Sequence, residues 1–170
     1  MSKHTLSGLN KGTYILILYL MDDKIIQVGA LGEFNFPFGY WAYVGSAFGP
    51  GGLASRLKHH LRPTDKPHWH IDYLRRQALL KEVWITEQRD PREHIWATAL
   101  HHLNGATTPV HGFGCSDCTC HTHLFHFYRP PPIQGFQKGE DQVFKLDKKG
   151  EGQKGEGQVF KLDISCLCQV

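Results

Sequence analysis

Arg56 and His60 stand four residues apart in Tyr43–Leu61, YVGSAFGPGGLASRLKHHL, a stretch that joins a strand end, a glycine-rich turn and a basic segment. A guanidinium offers planar paired donors to phosphate oxygens, and an imidazole exchanges protons near neutral pH. If a helix begins near Gly52, then Leu53, Leu57 and Leu61 recur every fourth residue and form one apolar stripe. Arg56 and His60 share a border of that stripe, half-buried between helix and core, while Ser55, Lys58 and Arg62 face water. The Gly-Pro-Gly-Gly turn leaves backbone N–H groups free at the helix start, a geometry that suits phosphate. An ordinary amphipathic helix with a solvated basic face gives the same pattern.

A carboxylate follows in Asp90-Pro91-Arg92-Glu93, and it has two readings. Asp90 can cap a helix, Pro91 suits its first position, and Glu93 sits where a capping-box carboxylate reaches back. Glu93 also leads the strip that carries Trp96 and Leu100, and a carboxylate heading a buried face needs a backbone N–H or a cation. Further on, Gly112–His123 crowds Cys115, Cys118, Cys120, His121 and His123 together. Cys115-x-x-Cys118 has the spacing of a zinc knuckle, which Cys120 and His121 or His123 would complete. The second half of a zinc ribbon is missing, since no cysteine follows until Cys166 and Cys168.

Tyr43-Val44-Gly45, followed by Ser46, Arg56 and His60, resembles the second half of the GIY-YIG nuclease motif. Gly12-Thr13-Tyr14 stands where the first half, Gly-Ile-Tyr, belongs. The likeness is closest to the branch called domain of unknown function 123, on KGTYILIL, FPFGYWAYVGSAFGPGGLASRLKHHL, HWHIDYL and GFGCSDCTCHTHLF, and it covers about residues 11–128. The resemblance implies Glu93 as the metal-binding glutamate, holding Mg²⁺ or Mn²⁺, and a nucleic-acid substrate, DNA ahead of RNA. Arg56 would stabilise the charged transition state, and Tyr14, Tyr43 or His60 would orient or deprotonate the attacking water. A tyrosine near its ordinary pKa of about 10 is a weak base, so metal or Arg56 would have to lower it. The family at large carries an asparagine in its closing motif, and Asp117 is the nearest polar residue here.

The net charge of +3 does not announce a nucleic-acid partner. Its distribution says more: residues 56–76 hold six Lys or Arg against Asp65 and Asp72, a face able to make a few salt-sensitive phosphate contacts. Tyr14–Leu20 is too short to span a bilayer and lacks the flanks of a signal peptide, so a soluble cytoplasmic protein without membrane partners is expected. In that compartment the five cysteines are free or metal-bound.

The elements that must position these residues follow from periodicity. Thr13–Leu20 is almost continuously apolar and reads as a central strand buried on both faces, with Ile25–Val28 able to pair with it as a hairpin. Leu31–Phe38 reads as another short strand, Gly39–Gly45 as the one delivering Tyr43, Leu80–Thr86 as a third main strand and Leu124–Tyr128 as the last. Tyr14 and Tyr43 lie 29 positions apart, a gap that accommodates an extra hairpin between the half-motifs. Helices are expected over residues 53–62, 70–78 and 91–103, with His70 and Trp69 as structural residues. After Arg129 the texture changes: Pro130-Pro131-Pro132 is followed by QKGEDQVFKLD at Gln137–Asp147 and QKGEGQVFKLD at Gln153–Asp163. Residues 130–170 therefore read as a tail, disordered or packed as a small hairpin, beside a domain at 1–129.

The expectation is an α+β domain: a small, mostly antiparallel sheet flanked by about three helices, carrying a metal-dependent endonuclease. Two other classes compete. One is a nucleic-acid-binding module on an inactive nuclease fold, and the other is a small zinc-containing interaction protein organised around Cys115, Cys118, Cys120 and His123.

Overall fold

The computed structural model describes residues 6–137 and 159–162. In chain order the elements are β1 (Gly12–Leu20), β2 (Lys24–Val28), β3 (Gly32–Phe36), β4 (Gly39–Ala47), α1 (Gly52–Leu61), α2 (His70–Arg75), β5 (Leu79–Thr86), α3 (Glu93–His101), β6 (Leu124–Phe127) and β7 (Phe160–Leu162). One antiparallel sheet has the order β6-β4-β1-β5-β7, and β2 and β3 form a separate antiparallel pair. The fold is α+β, as the sequence pattern implies.

β1 is apolar throughout because both its faces are covered. Leu16, Leu18 and Leu20 pack with Leu53 and Leu57 of α1 and with Ile71 and Leu74 of α2. Ile15 and Ile17 enter a second core with Trp96, Ala99 and Leu100 of α3. Fully burying such a side chain contributes about 1.5–3 kcal/mol, so the alternation along one strand ties three helices to one sheet.

β2 pairs with β3, with Ile26 opposite Phe34, and not with β1 as a simple hairpin would have it. Both hydrogen-bonding edges of β1 are already occupied, by β4 and β5, which leaves β2 no place beside it. The β2–β3 hairpin instead folds out from the sheet and rests on α2.

α1 ends where Arg75 reaches back to it. Arg75 Nε donates to the His60 carbonyl at 2.9 Å and Nη2 to that of Leu61 at 3.3 Å, satisfying carbonyls that a helix end leaves without partners. This arginine is buried, so it does not belong to the surface basic face counted from sequence. α2 stops at Arg75, short of Ala78, because Arg75 Nη1 and a tight turn onto the Leu74 carbonyl redirect the chain into β5. α3 begins at Glu93 with Arg92 in the cap position and no side-chain cap hydrogen bond there. The capping-box role for Glu93 is thereby not realised.

Two short pieces from beyond Pro130 join this body. Residues 133–137 are helical, and Phe136 is fully buried, its ring 5.4 Å from that of Trp84 and 5.3 Å from that of Trp96. Phe160–Leu162 of the second repeat becomes β7, pairing Leu162 with Val83 at the edge of the sheet. Apart from Gln137, the first copy lies outside the described residues. Among the described residues no helix is long and apolar enough to cross a membrane.

Candidate functional site

β1 and β4 lie antiparallel with Tyr14 opposite Gly45 and Leu16 opposite Tyr43. Side chains of alternate residues share a face, so both phenols emerge on the side covered by α1 and α2, with ring centroids 6.4 Å apart. Gly45 is the residue that permits this, since a Cβ there would overlap the Tyr14 ring. The extra hairpin does not separate the two half-motifs, because β2 and β3 leave the sheet before β4 returns beside β1.

α1 contributes Arg56 and His60, as its stripe of leucines requires. His60 is more deeply placed than a border position suggests, only 2 % exposed. Its Nε2 lies 2.9 Å from the Tyr14 hydroxyl. The Arg56 guanidinium lies over the Trp69 ring, its Cζ 4.1 Å from the centroid. The helix start does not offer the anion cradle expected of it: the Gly52 N–H is bonded to the Gly49 carbonyl and that of Leu53 to Asn10.

Behind His60 stands Asp72. One carboxylate oxygen accepts the His68 and Trp69 N–H groups at 2.9 and 3.0 Å, and the other lies 2.8 Å from His59 Nε2 and 4.0 Å from His60 Nδ1. Burial works to raise this carboxyl, but those backbone N–H groups and the His59 ring prevail and hold it below its ordinary range. Sequence reading passed over Asp72, although its place three residues after Trp69 is where a helix-capping carboxylate belongs. His70, as expected, is structural: its Nδ1 accepts the Gly114 N–H at 3.0 Å.

Electrostatics set the protonation states. Burial raises both Tyr14 and Tyr43, and Arg56, which pulls the other way, does not overcome it. Glu93 and Asp72 act on both phenols in the same sense as burial, which marks the tyrosines, Arg56, Glu93 and Asp72 as electrostatic neighbours. His60 is driven down to about 3 by burial first and by His59 second. Near neutral pH the site therefore holds two protonated phenols and an uncharged imidazole, and none of the three is a ready-made strong base.

Glu93 stands at the first residue of α3, whose body packs on the opposite face of the sheet. Its carboxylate, 24 % exposed, places Oε1 3.0 Å from Nδ1 of buried His123, out of line for a hydrogen bond. The other side of His123 meets sulfur, with Nε2 3.6 Å from Cys118 Sγ. His94 Nδ1 lies 2.9 Å from Cys120 Sγ. The structure thus brings together Cys118, Cys120 and His123 of the expected cysteine-histidine set and adds His94 from α3, while Cys115 falls outside the group. Burial and then the neighbouring Cys118 push the Cys115 thiol up to about 12, and the same causes push Cys120 up to about 11. Asp117 is exposed. The spacing of His94 from the cysteines gave no signal in sequence, for it meets them only through the packing of α3.

An open depression of about 700 Å³ beside the start of α1 shares no lining residue with these clusters. Lys11, Glu87 and Arg89 give it mixed charge, and it is not where the chemistry-bearing residues meet.

These features define a small α+β domain with a tyrosine-histidine-aspartate cluster on one sheet face and a cysteine-histidine cluster at the start of α3. A family model described as domain of unknown function DUF123 matches residues 13–142, and the chain belongs to that family. No curated protein and no solved structure matches it.

Proposed function

We propose that the domain is a divalent-metal-dependent endonuclease on a GIY-YIG-like scaffold, hydrolysing nucleic-acid phosphodiester bonds in the cytoplasm, with DNA ahead of RNA as substrate. The observation that carries this reading is the Tyr14–Tyr43–His60 cluster, on whose two phenols Arg56 and Glu93 both act. Glu93 is the carboxylate available to a hard cation. It is partly exposed, and Mg²⁺ or Mn²⁺ needs only one or two carboxylates when waters and substrate phosphate fill the remaining positions. Bound there, such a cation supplies charge against the phosphate and acidifies water.

The chain's own groups do the rest. Arg56, held over Trp69, offers planar paired donors to two phosphate oxygens, and its charge opposes the negative charge that grows in the transition state. The Tyr14 hydroxyl is hydrogen-bonded to His60 Nε2; in the tautomer with the proton on Nδ1 the phenol donates, which leaves its oxygen as an acceptor able to orient a water. Asp72, 4.0 Å from His60 Nδ1, favours the charged imidazole but does not outweigh burial and His59, so His60 serves here as an uncharged positioning group for Tyr14. Lys58, Arg62, Lys66 and Arg76 lie exposed around α1 and α2, where the rest of a nucleic-acid strand would run.

One observation favours a second reading, a binding module without turnover. Tyr14, Tyr43 and His60 are 2, 8 and 2 % exposed, so a substrate must displace covering structure to reach them. The test is cleavage of branched and single-stranded DNA and RNA with Mg²⁺ or Mn²⁺, with binding measured in parallel. Metal-dependent cleavage that Glu93→Gln abolishes while binding persists supports the nuclease. Binding without cleavage across the panel replaces it with the module.

A further inference from the structure

The fold gathers a second donor set that the proposed nuclease chemistry does not use. His94 on α3 and Cys118, Cys120 and His123 on the loop before β6 place one ligand atom each within 4.8 Å of all the others. Tetrahedral zinc, with bonds of about 2.3 Å to sulfur and about 2.0 Å to nitrogen, requires ligand-to-ligand edges of about 3.3–3.8 Å. The His123 Nε2–Cys118 Sγ separation of 3.6 Å already has that length, and the other edges need shifts of about 1.5 Å or less.

We propose that His94, Cys118, Cys120 and His123 form a closed, structural Zn²⁺ site that fastens residues 102–123 to the start of α3. Two sulfurs and two imidazoles are a borderline-soft set that suits zinc and disfavours Mg²⁺ and Ca²⁺, which take oxygen. The ligands do not all come from one short loop: His94 is on a helix and lies 26 positions from Cys120 in the chain. The loop is also already closed on itself: the Gly112 N–H bonds the His121 carbonyl at 2.8 Å, and the His123 N–H bonds that of Phe113 at 2.8 Å. Between α3 and β6 the chain has no helix or strand, and a connection of that length needs something to hold it.

A second observation points to the same ligand. His123 is 1 % exposed in its side chain, and its Nδ1 has no hydrogen-bond partner although it stands 3.0 Å from Glu93 Oε1. With Nε2 committed to a metal, Nδ1 carries the proton and faces a carboxylate, the arrangement that commonly orients a metal-bound histidine. A small ring rotation as the metal seats aligns that bond. On binding, the Cys118 and Cys120 thiols each lose a proton to solvent as a sulfur–zinc bond forms, and no oxidant is involved. Cys115, whose Sγ lies 3.5 Å from the Phe113 carbonyl, is not a ligand.

The experiment is metal analysis of the full chain, expressed in zinc-containing medium and dialysed, followed by exchange with Co²⁺ and absorption spectroscopy. The parent protein should retain one equivalent of zinc and give the intense visible bands of tetrahedral cobalt with thiolate ligands. Cys118→Ser and His94→Ala should weaken retention by about 10²-fold or more, while Cys115→Ser and the paired change Cys166→Ser with Cys168→Ser should retain it. Circular dichroism establishes that each protein is folded. A folded parent holding no zinc, or zinc lost as fully from Cys115→Ser as from Cys118→Ser, overturns the assignment. These readouts involve no cleavage, so a protein that holds zinc and cuts nothing would sink the nuclease reading and leave this site in place.

Discussion

The Tyr14 hydroxyl and His60 Nε2 are 2.9 Å apart although the two residues stand 46 positions apart in the chain. Each half of the contact is fixed separately. Tyr14 is set by the pairing of β1 with β4 across Gly45, and His60 by the leucine stripe that docks α1 on the sheet. Asp72 and His59 stand on the other side of His60, so a phenol, an imidazole and a carboxylate form a line of successive neighbours.

That line makes stability depend on pH. His60 titrates near 6.5 when unfolded and only at about 3 when folded, so between these values the unfolded chain binds the extra proton. Its contribution is complete above about pH 6.5 and is lost as pH falls toward the folded value, amounting to about 2 kcal/mol by about pH 5. His60→Gln keeps an acceptor for Tyr14 and removes the titration. Urea unfolding of both proteins between neutral and mildly acidic pH should show the parent losing stability more steeply, and parallel profiles would contradict the neutral, buried imidazole.

Arg56 has a different role, since its partner is a ring face rather than a carboxylate. Arg56→Lys keeps the charge and loses the planar fork and the stacking, so it should behave more like Arg56→Ala than like the parent. Cleavage should fall by about 10²–10³-fold in both variants, as on removing an oxyanion donor, while thermal stability shifts by about 1 kcal/mol or less. Single-turnover rates with saturating protein separate the two effects. Full activity in Arg56→Lys would mean that the guanidinium contributes charge alone.

Gly45→Ala tests the packing under the site. At an unstrained position this change gains about 0.4–1 kcal/mol by restricting the unfolded chain. Here the new methyl overlaps the Tyr14 ring, so a loss of about 1–3 kcal/mol is expected instead, as in other overpacked cores. Chemical denaturation measures the sign directly. A stabilised Gly45→Ala protein would show that Tyr14 does not lie over that residue.

Much of this architecture was legible in local pattern. The unbroken apolar run of β1, the leucine spacing of α1 and the aromatic strand ending at Tyr43 each stated their own burial. What was not legible depended on which elements become neighbours. β2 could not reveal from its own residues that both edges of β1 were taken. Arg75 looks like any surface cation until the end of α1 is laid beside it. His94 reads as an exposed helical histidine, and it joins the cysteines only because α3 packs against the loop before β6. Glu93 was legible as a carboxylate needing a partner, and what its sequence could not show is that His123 Nδ1 stands 3.0 Å from it while its own helix start makes no side-chain cap bond.

The segment beyond Pro130 gives the last prediction. Its composition suggests a removable tail, yet Phe136 is fully buried among Trp84 and Trp96, and Val159 and Leu162 are 6 and 3 % exposed. Phe136→Ala should cost about 3–5 kcal/mol, the usual penalty for emptying a buried aromatic site, and lower the melting midpoint by about 10 °C. A chain ending at Pro132 should lose more, since it gives up Phe136 together with β7. It would also bare the outer edge of β5, whose unpaired N–H and C=O groups can recruit a second chain. Calorimetry paired with sedimentation reads both effects, a lowered midpoint and a shift toward larger species. A truncated chain that melts at the parent's midpoint and stays monomeric would show that Phe136, Val159 and Leu162 cover the core without supporting it.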